Sequence, residues 1–87
     1  MIIKQSPGYI QKLKKLVKKD FKLEERIETK LKLFMLNFKH PSLRLHKIKS
    51  RSVDMWSISI DKNLRIMFVY RDYGILLTDI GGHDEVY

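Results

Sequence analysis

Eighty-seven residues are enough for one small domain and leave no room for a large buried cofactor beside a working core. With 44% hydrophobic and 32% charged residues the chain is expected to fold, and the absence of cysteine excludes disulfides and thiolate metal sites. The net charge of +8 is uneven: residues 1–53 carry 15 Lys/Arg against 4 Asp/Glu and residues 54–87 carry 3 against 6, a field that favours RNA, DNA, anionic lipid or an acidic protein.

No apolar run approaches the roughly 20 residues that span a bilayer. The opening stretch MIIKQSPGYIQK lacks a signal-peptide core, so a cytoplasmic location is the expectation. Met1–Lys4 reads as a short strand, on an edge or paired with a later strand. Ser6-Pro7 reads as a helix start, the serine capping and the proline at the first helical position. Tyr9, Ile10, Leu13, Leu16 and Val17 then recur at helical spacing, with lysines filling the other face. Asp20 is expected to cap a second helix. Its stripe runs Leu23, Ile27, Leu31, Phe34, Met35 and Phe38, widened by Leu33 and Leu36 as though covered on more than one side. His40-Pro41 ends it.

From Leu43 the period becomes two. Strands are expected over Leu43–Ile48, Met55–Ile60, Leu64–Tyr70 and Gly74–Ile80, with short turns between the last three, which form an antiparallel meander. If Ile60 opposes Leu64, then Ile58 opposes Ile66 and Trp56 opposes Phe68 on one apolar face. Ser59 then opposes Arg65 and Ser57 opposes Met67 on the other. The expectation is an α+β domain over residues 1–87: two antiparallel helices packed on a small twisted antiparallel sheet, with Trp56, Met35 and the phenylalanines in the core.

The three histidines, His40, His46 and His83, lack metal-pair spacing, and no phosphate loop or nucleophile elbow occurs. Neither a metal nor another cofactor is expected. The remaining polar groups suit RNA. His46 lies among Arg44, Lys47, Lys49 and Arg51; Arg65 stands on the polar sheet face; His83 and Tyr87 lie on the tail DIGGHDEVY. Metal-free RNA cleavage needs a base for the 2′-hydroxyl, a cation for the phosphorane and an acid for the departing 5′-oxygen. Imidazole can move either proton, a guanidinium fits phosphate oxygens, and an aromatic ring can stack on an unpaired base. Each residue also has a structural alternative: His46 as a half-buried strand residue, Arg65 as a charge that blunts the exposed sheet surface, His83 as a cap, Tyr87 as a frayed end.

The stretches HPSLRLHKIK, WSISIDKNLRIMFVY and LLTDIGGHDEVY resemble the RelE superfamily of toxins, most closely its YafQ-like branch. The resemblance covers residues 40–87 well, and the strand–helix–helix start fits it in order and length. It implies the toxin of a type II toxin–antitoxin pair: a ribosome-dependent endoribonuclease cutting messenger RNA in the ribosomal A site. It further implies a cognate acidic antitoxin, contact with 16S rRNA, operator DNA bound only as the toxin–antitoxin complex, and no membrane. By the same resemblance His46, Arg65, His83 and Tyr87 are the catalytic set, with His83 as acid, His46 as base or electrostatic stabiliser, Arg65 against the phosphorane and Tyr87 on a base. Arg44, Lys47, Lys49, Arg51 and Lys62 are expected to hold phosphates. Ser59 and Asn63 stand where some YafQ-like members carry a further histidine and aspartate. The alternative is a non-catalytic or degenerate module of the same fold, acting through a protein partner (as ParE-like relatives act on gyrase) or in transcriptional autoregulation.

Overall fold

The computed structural model describes residues 1–49 and 53–82. Their elements run β1 (Ile2–Gln5), α1 (Pro7–Lys19), α2 (Leu23–Leu36), a 3-10 turn (Pro41–Leu43), β2 (His46–Ile48), β3 (Met55–Ser59), β4 (Arg65–Arg71) and β5 (Gly74–Gly81). Helix α1 starts as expected, with the Ser6 hydroxyl accepting from the Tyr9 amide at 3.1 Å and Pro7 contributing no orphan N–H. Asp20 differs from expectation. It closes α1 through its amide to Leu16, and Lys22 holds the N-cap position of α2 without a side-chain cap bond. The Asp20 carboxylate is instead engaged by Arg26 at 2.6 Å, which holds it below the usual carboxylate range.

The sheet order is β1-β5-β4-β3-β2. The meander β3–β4–β5 is antiparallel with the expected register: Ser59 opposes Arg65, Ile58 opposes Ile66, Ser57 opposes Met67 and Trp56 opposes Phe68. β1 returns alongside β5 in parallel, so the sheet as a whole is mixed. One face carries Ile58, Ile66, Phe68, Ile75, Leu77 and Ile80, packed with Tyr9, Leu23, Ile27 and Phe34 of the helices in a single buried cluster. Burying this one stripe fixes the register, because a slip of one residue would turn Ser57 and Arg65 into the core.

Two expectations fail at the rim of that cluster. Met35 is 51% exposed, Leu36 86% and Phe38 48%, so the end of α2 overhangs the sheet and is covered on one side only. Phe21, in the link between the helices, is 84% exposed and also outside the core. The strand expected from Leu43 begins only at His46. Leu43 ends the 3-10 turn as a fully buried residue, and Arg44 takes φ 46°, ψ 46°, a left-handed conformation that breaks the extended run.

Candidate functional site

Strand alternation sets the site. His46 pairs with Ser57 across β2 and β3, and Ser57 pairs with Met67 across β3 and β4, so all three share the sheet face turned away from the helices. Arg65 lies diagonally from Ser57 on that face, within reach of a long side chain. The guanidinium spans the gap. Its Nε donates to Ser57 Oγ at 3.0 Å, and its Nη2 donates to the same oxygen at 2.8 Å and to the Arg44 carbonyl at 3.0 Å. Nη2 also lies 3.1 Å from His46 Nδ1. Ser57 is fully buried beneath this group, Arg65 is half-buried and His46 is exposed.

The left-handed turn at Arg44 delivers its carbonyl to that point. It costs roughly 1 kcal/mol for a non-glycine residue. In return, Arg44 O is placed within hydrogen-bond reach of both Arg65 Nη2 and His46 Nδ1, the latter at 3.2 Å. His46 Nδ1 therefore has two alternatives. Donating to the Arg44 carbonyl leaves the lone pair on Nε2, the form of a base. Accepting from Arg65 leaves the proton on Nε2 of a neutral ring, which then has no lone pair there to act as a base. The carbonyl contact therefore selects the tautomer that can accept a proton at Nε2, and it persists in the imidazolium that results.

Beside Arg44 lies a cleft of about 260 Å³ lined by Lys39, His40, Pro41, Arg44 and Leu45. Its lining carries two cations. The His40 Nδ1 on its wall accepts from the Ser42 amide at 3.1 Å and caps the 3-10 turn.

Of the residues singled out from the sequence, the structure brings together Arg44, His46 and Arg65. Lys47 points to the other side of β2, beside Trp56, and pairs with Asp54 at 3.3 Å. Lys49 follows β2 and is exposed, and Lys62 is exposed in the β3–β4 turn. Arg51, His83 and Tyr87 lie outside the described residues. β5 runs to Gly81, which pairs with the backbone of Arg65 from the β4 side opposite β3, while the guanidinium reaches across β3 toward β2. Two participants were not among the expected site residues: Ser57, which anchors Arg65 twice, and the Arg44 carbonyl. The alternation pattern already placed Ser57 on Arg65's face; the carbonyl has no sequence signal. Ser59, directly opposite Arg65, donates instead to the Asp61 carbonyl at 2.7 Å and shapes the turn. Among the described residues no group of three His, Asp or Glu side chains is placed to hold a metal ion.

Two helices on one face of a five-stranded mixed sheet make an α+β fold that is shared with solved toxin structures. Among solved structures, the chain is similar to the YoeB dimer from Staphylococcus aureus, at a TM-score of 0.74 and 23% identity over 95% of this chain and 97% of that one. A metal-bound toxin from Helicobacter pylori gives a TM-score of 0.79 at 21% identity, covering 100% of this chain and 99% of that one. YafQ of the Escherichia coli DinJ–YafQ complex gives 0.79 at 15% identity, with 99% and 97% covered. No protein-family model matches the chain, and no curated protein matches it significantly. The likeness is one of fold. No helix among the described residues is long and apolar enough to cross a membrane.

Proposed function

We propose that the protein is the toxin of a type II toxin–antitoxin pair and cleaves messenger RNA on the ribosome through the His46–Arg65 site. The carrying observation is the contact of Arg65 Nη2 with His46 Nδ1 at 3.1 Å, above a buried serine that fixes the arginine's direction. It supports the reading because an imidazole and a guanidinium this close could both be reached by one internucleotide linkage. In the reaction, the RNA 2′-oxygen loses its proton to a base and attacks the adjacent phosphorus. The bond from phosphorus to the 5′-oxygen breaks as that oxygen takes a proton, leaving a 2′,3′-cyclic phosphate and a 5′-hydroxyl. Arg65 offsets the charge on the phosphorane. His46, with Nδ1 donating to the Arg44 carbonyl, accepts the 2′-hydroxyl proton at Nε2. His83 is the proposed acid and Tyr87 the proposed stacking ring; the support for these two is the resemblance of the tail. Arg44, Lys47, Lys49, Arg51 and Lys62 would hold flanking phosphates. The structures of DinJ–YafQ and of YoeB–YefM contain an antitoxin chain, which supports an antitoxin partner for this chain as well.

A second reading has an observation in its favour. Arg65 makes three hydrogen bonds inside the protein, as a purely structural arginine would, and the fold would then serve a binding module. Primer extension on a reporter messenger in expressing cells separates the two. Cleavage should fall about 100- to 1,000-fold in Arg65→Gln, the range for removing one charge-stabilising donor. It should fall by a similar factor in His46→Ala and His83→Ala. Toxicity that persists unchanged in all three folded variants, without codon-positioned cuts, would sink the nuclease reading in favour of the binding module.

A further inference from the structure

A row of aromatic rings crosses the helix-side face of the sheet and reaches the surface beside β2. Phe34 and Phe68 are buried and pack edge to face at 5.3 Å between centroids. Phe68 meets Tyr70 at 5.4 Å, and Tyr70 meets Trp56 at 5.6 Å with their planes 79° apart. Tyr70 is 42% exposed and Trp56 is half-buried at the rim of the core cluster. Lys47 is the cross-strand neighbour of Trp56 on this same face. Among the described residues it pairs with Asp54 at 3.3 Å, an exposed ion pair that contributes little and can be exchanged.

We propose that Trp56, Tyr70 and Lys47 form a second contact for single-stranded nucleic acid, with an unpaired base on the rings and its phosphate on the lysine. The proposal deepens the RNA reading above and rests on it. Three features favour this occupant. The exposed rings are backed by buried ones, so little side-chain freedom is lost on stacking. The cation lies beside the rings, where a base stacked on them would present its phosphate. The strand β2 lies at the sheet edge with His46 on one face and Lys47 on the other. A strand of RNA crossing that edge would meet the His46–Arg65 site on one side and the aromatic shelf on the other. A base held there would fix the register of the linkage presented for cleavage.

Trp56 is the only tryptophan in the chain, so its emission reports on the shelf directly. The probe is a short 2′-O-methyl oligoadenylate, which has no free 2′-hydroxyl and cannot be cut. The proposal expects saturable quenching of Trp56 on titration. Tyr70→Leu should weaken binding by about tenfold, within the range for losing one base–aromatic stack. Tyr70→Phe, which keeps the ring, should bind as the native protein does. Binding seen by anisotropy with Trp56 emission unchanged would overturn the proposal, as would equal affinity in a folded Tyr70→Leu variant. So would sedimentation showing that Tyr70→Leu abolishes self-association and leaves oligonucleotide binding intact, since the shelf would then be a protein interface. Quenching retained by an Arg65→Gln variant supports the shelf as a separate contact. If the native protein quenches but gives no codon-positioned cuts by primer extension in expressing cells, the nuclease reading fails and the shelf stands as an RNA contact; cuts without quenching fail the shelf alone.

Discussion

Tyr9, in the first turn of α1, is fully buried, and its hydroxyl has no hydrogen-bond partner among the described residues. The ring supplies apolar area to the cluster under the sheet, while the oxygen loses water and recovers nothing. Leaving such a group unsatisfied costs about 1–3 kcal/mol. Tyr9→Phe keeps the ring and removes the liability, so chemical denaturation at neutral pH should find the variant more stable by about 1–2 kcal/mol. Burial also pushes the phenol from 10.0 up to about 12. A raised folded value means that the fold holds the neutral form: the contribution is intact below pH 10 and disappears as pH climbs toward 12. The native protein should therefore lose more stability across that window than Tyr9→Phe. Equal loss in both would mean that the hydroxyl finds a partner in solution. Ser57 is the instructive contrast. It is equally buried, but its hydroxyl is met twice by Arg65, and the polar group becomes a positioning device.

At the scale of elements, Gly74 holds the first strand to the sheet. It adopts φ +147° at the start of β5, and a Cβ there would lie 2.1 Å from the Ile2 carbonyl oxygen and 2.7 Å from its nitrogen. Both atoms are backbone, so Gly74→Ala can be accommodated only by moving β1 off β5. The expected cost is about 2–4 kcal/mol, read by thermal melting, with hydrogen-exchange protection lost first at Ile2–Gln5. A melt unchanged within a degree or so, with β1 still protected, would contradict this. The same elements indicate what the sequence made legible. Strict alternation in Met55–Ile60 and in the returning strand permits one register that buries Ile58 and Ile66, and that register brought Arg65 onto the polar face with Ser57. Ser6-Pro7 marked the start of α1 because capping is local chemistry. The failures are non-local or depend on backbone sign. Alternation cannot report that Arg44 turns left-handed, and that turn shortens β2 and aims the carbonyl at Arg65. Asp20 stands between two helices, and composition alone does not say which it serves. Met35, Leu36 and Phe38 continue the stripe of α2 past the edge of the sheet, and a stripe carries no information about where its partner stops. The parallel return of β1 pairs residues 72 apart, Ile2 with Gly74 onward, with no local signature.

At the scale of the molecule, charge and architecture act on different surfaces. The helices cover one face of the sheet, while the His46–Arg65 group lies on the other, so the lysines on the outer side of α1 are separated from it by two layers of structure. Layers pack about 10 Å apart, against a Debye length of about 8 Å at physiological ionic strength. Lys14, Lys15, Lys18 and Lys19 are exposed and should steer a polyanion at low salt but contribute little to a short oligonucleotide held at the site. Lys47 and Lys49, on and beside β2, should instead act by direct contact. The prediction is a difference in salt slope. Replacing all four α1 lysines by glutamine should leave the affinity for a short single strand at physiological salt within about twofold, whereas Lys47→Gln or Lys49→Gln should each reduce the slope of log affinity against log salt by about 0.7. Titrations over a range of salt concentrations measure both arms on the same oligonucleotide. If the α1 variant loses most of the slope and the β2 variants lose none, the nucleic acid lies along the first helix, and the β2 edge is not its path.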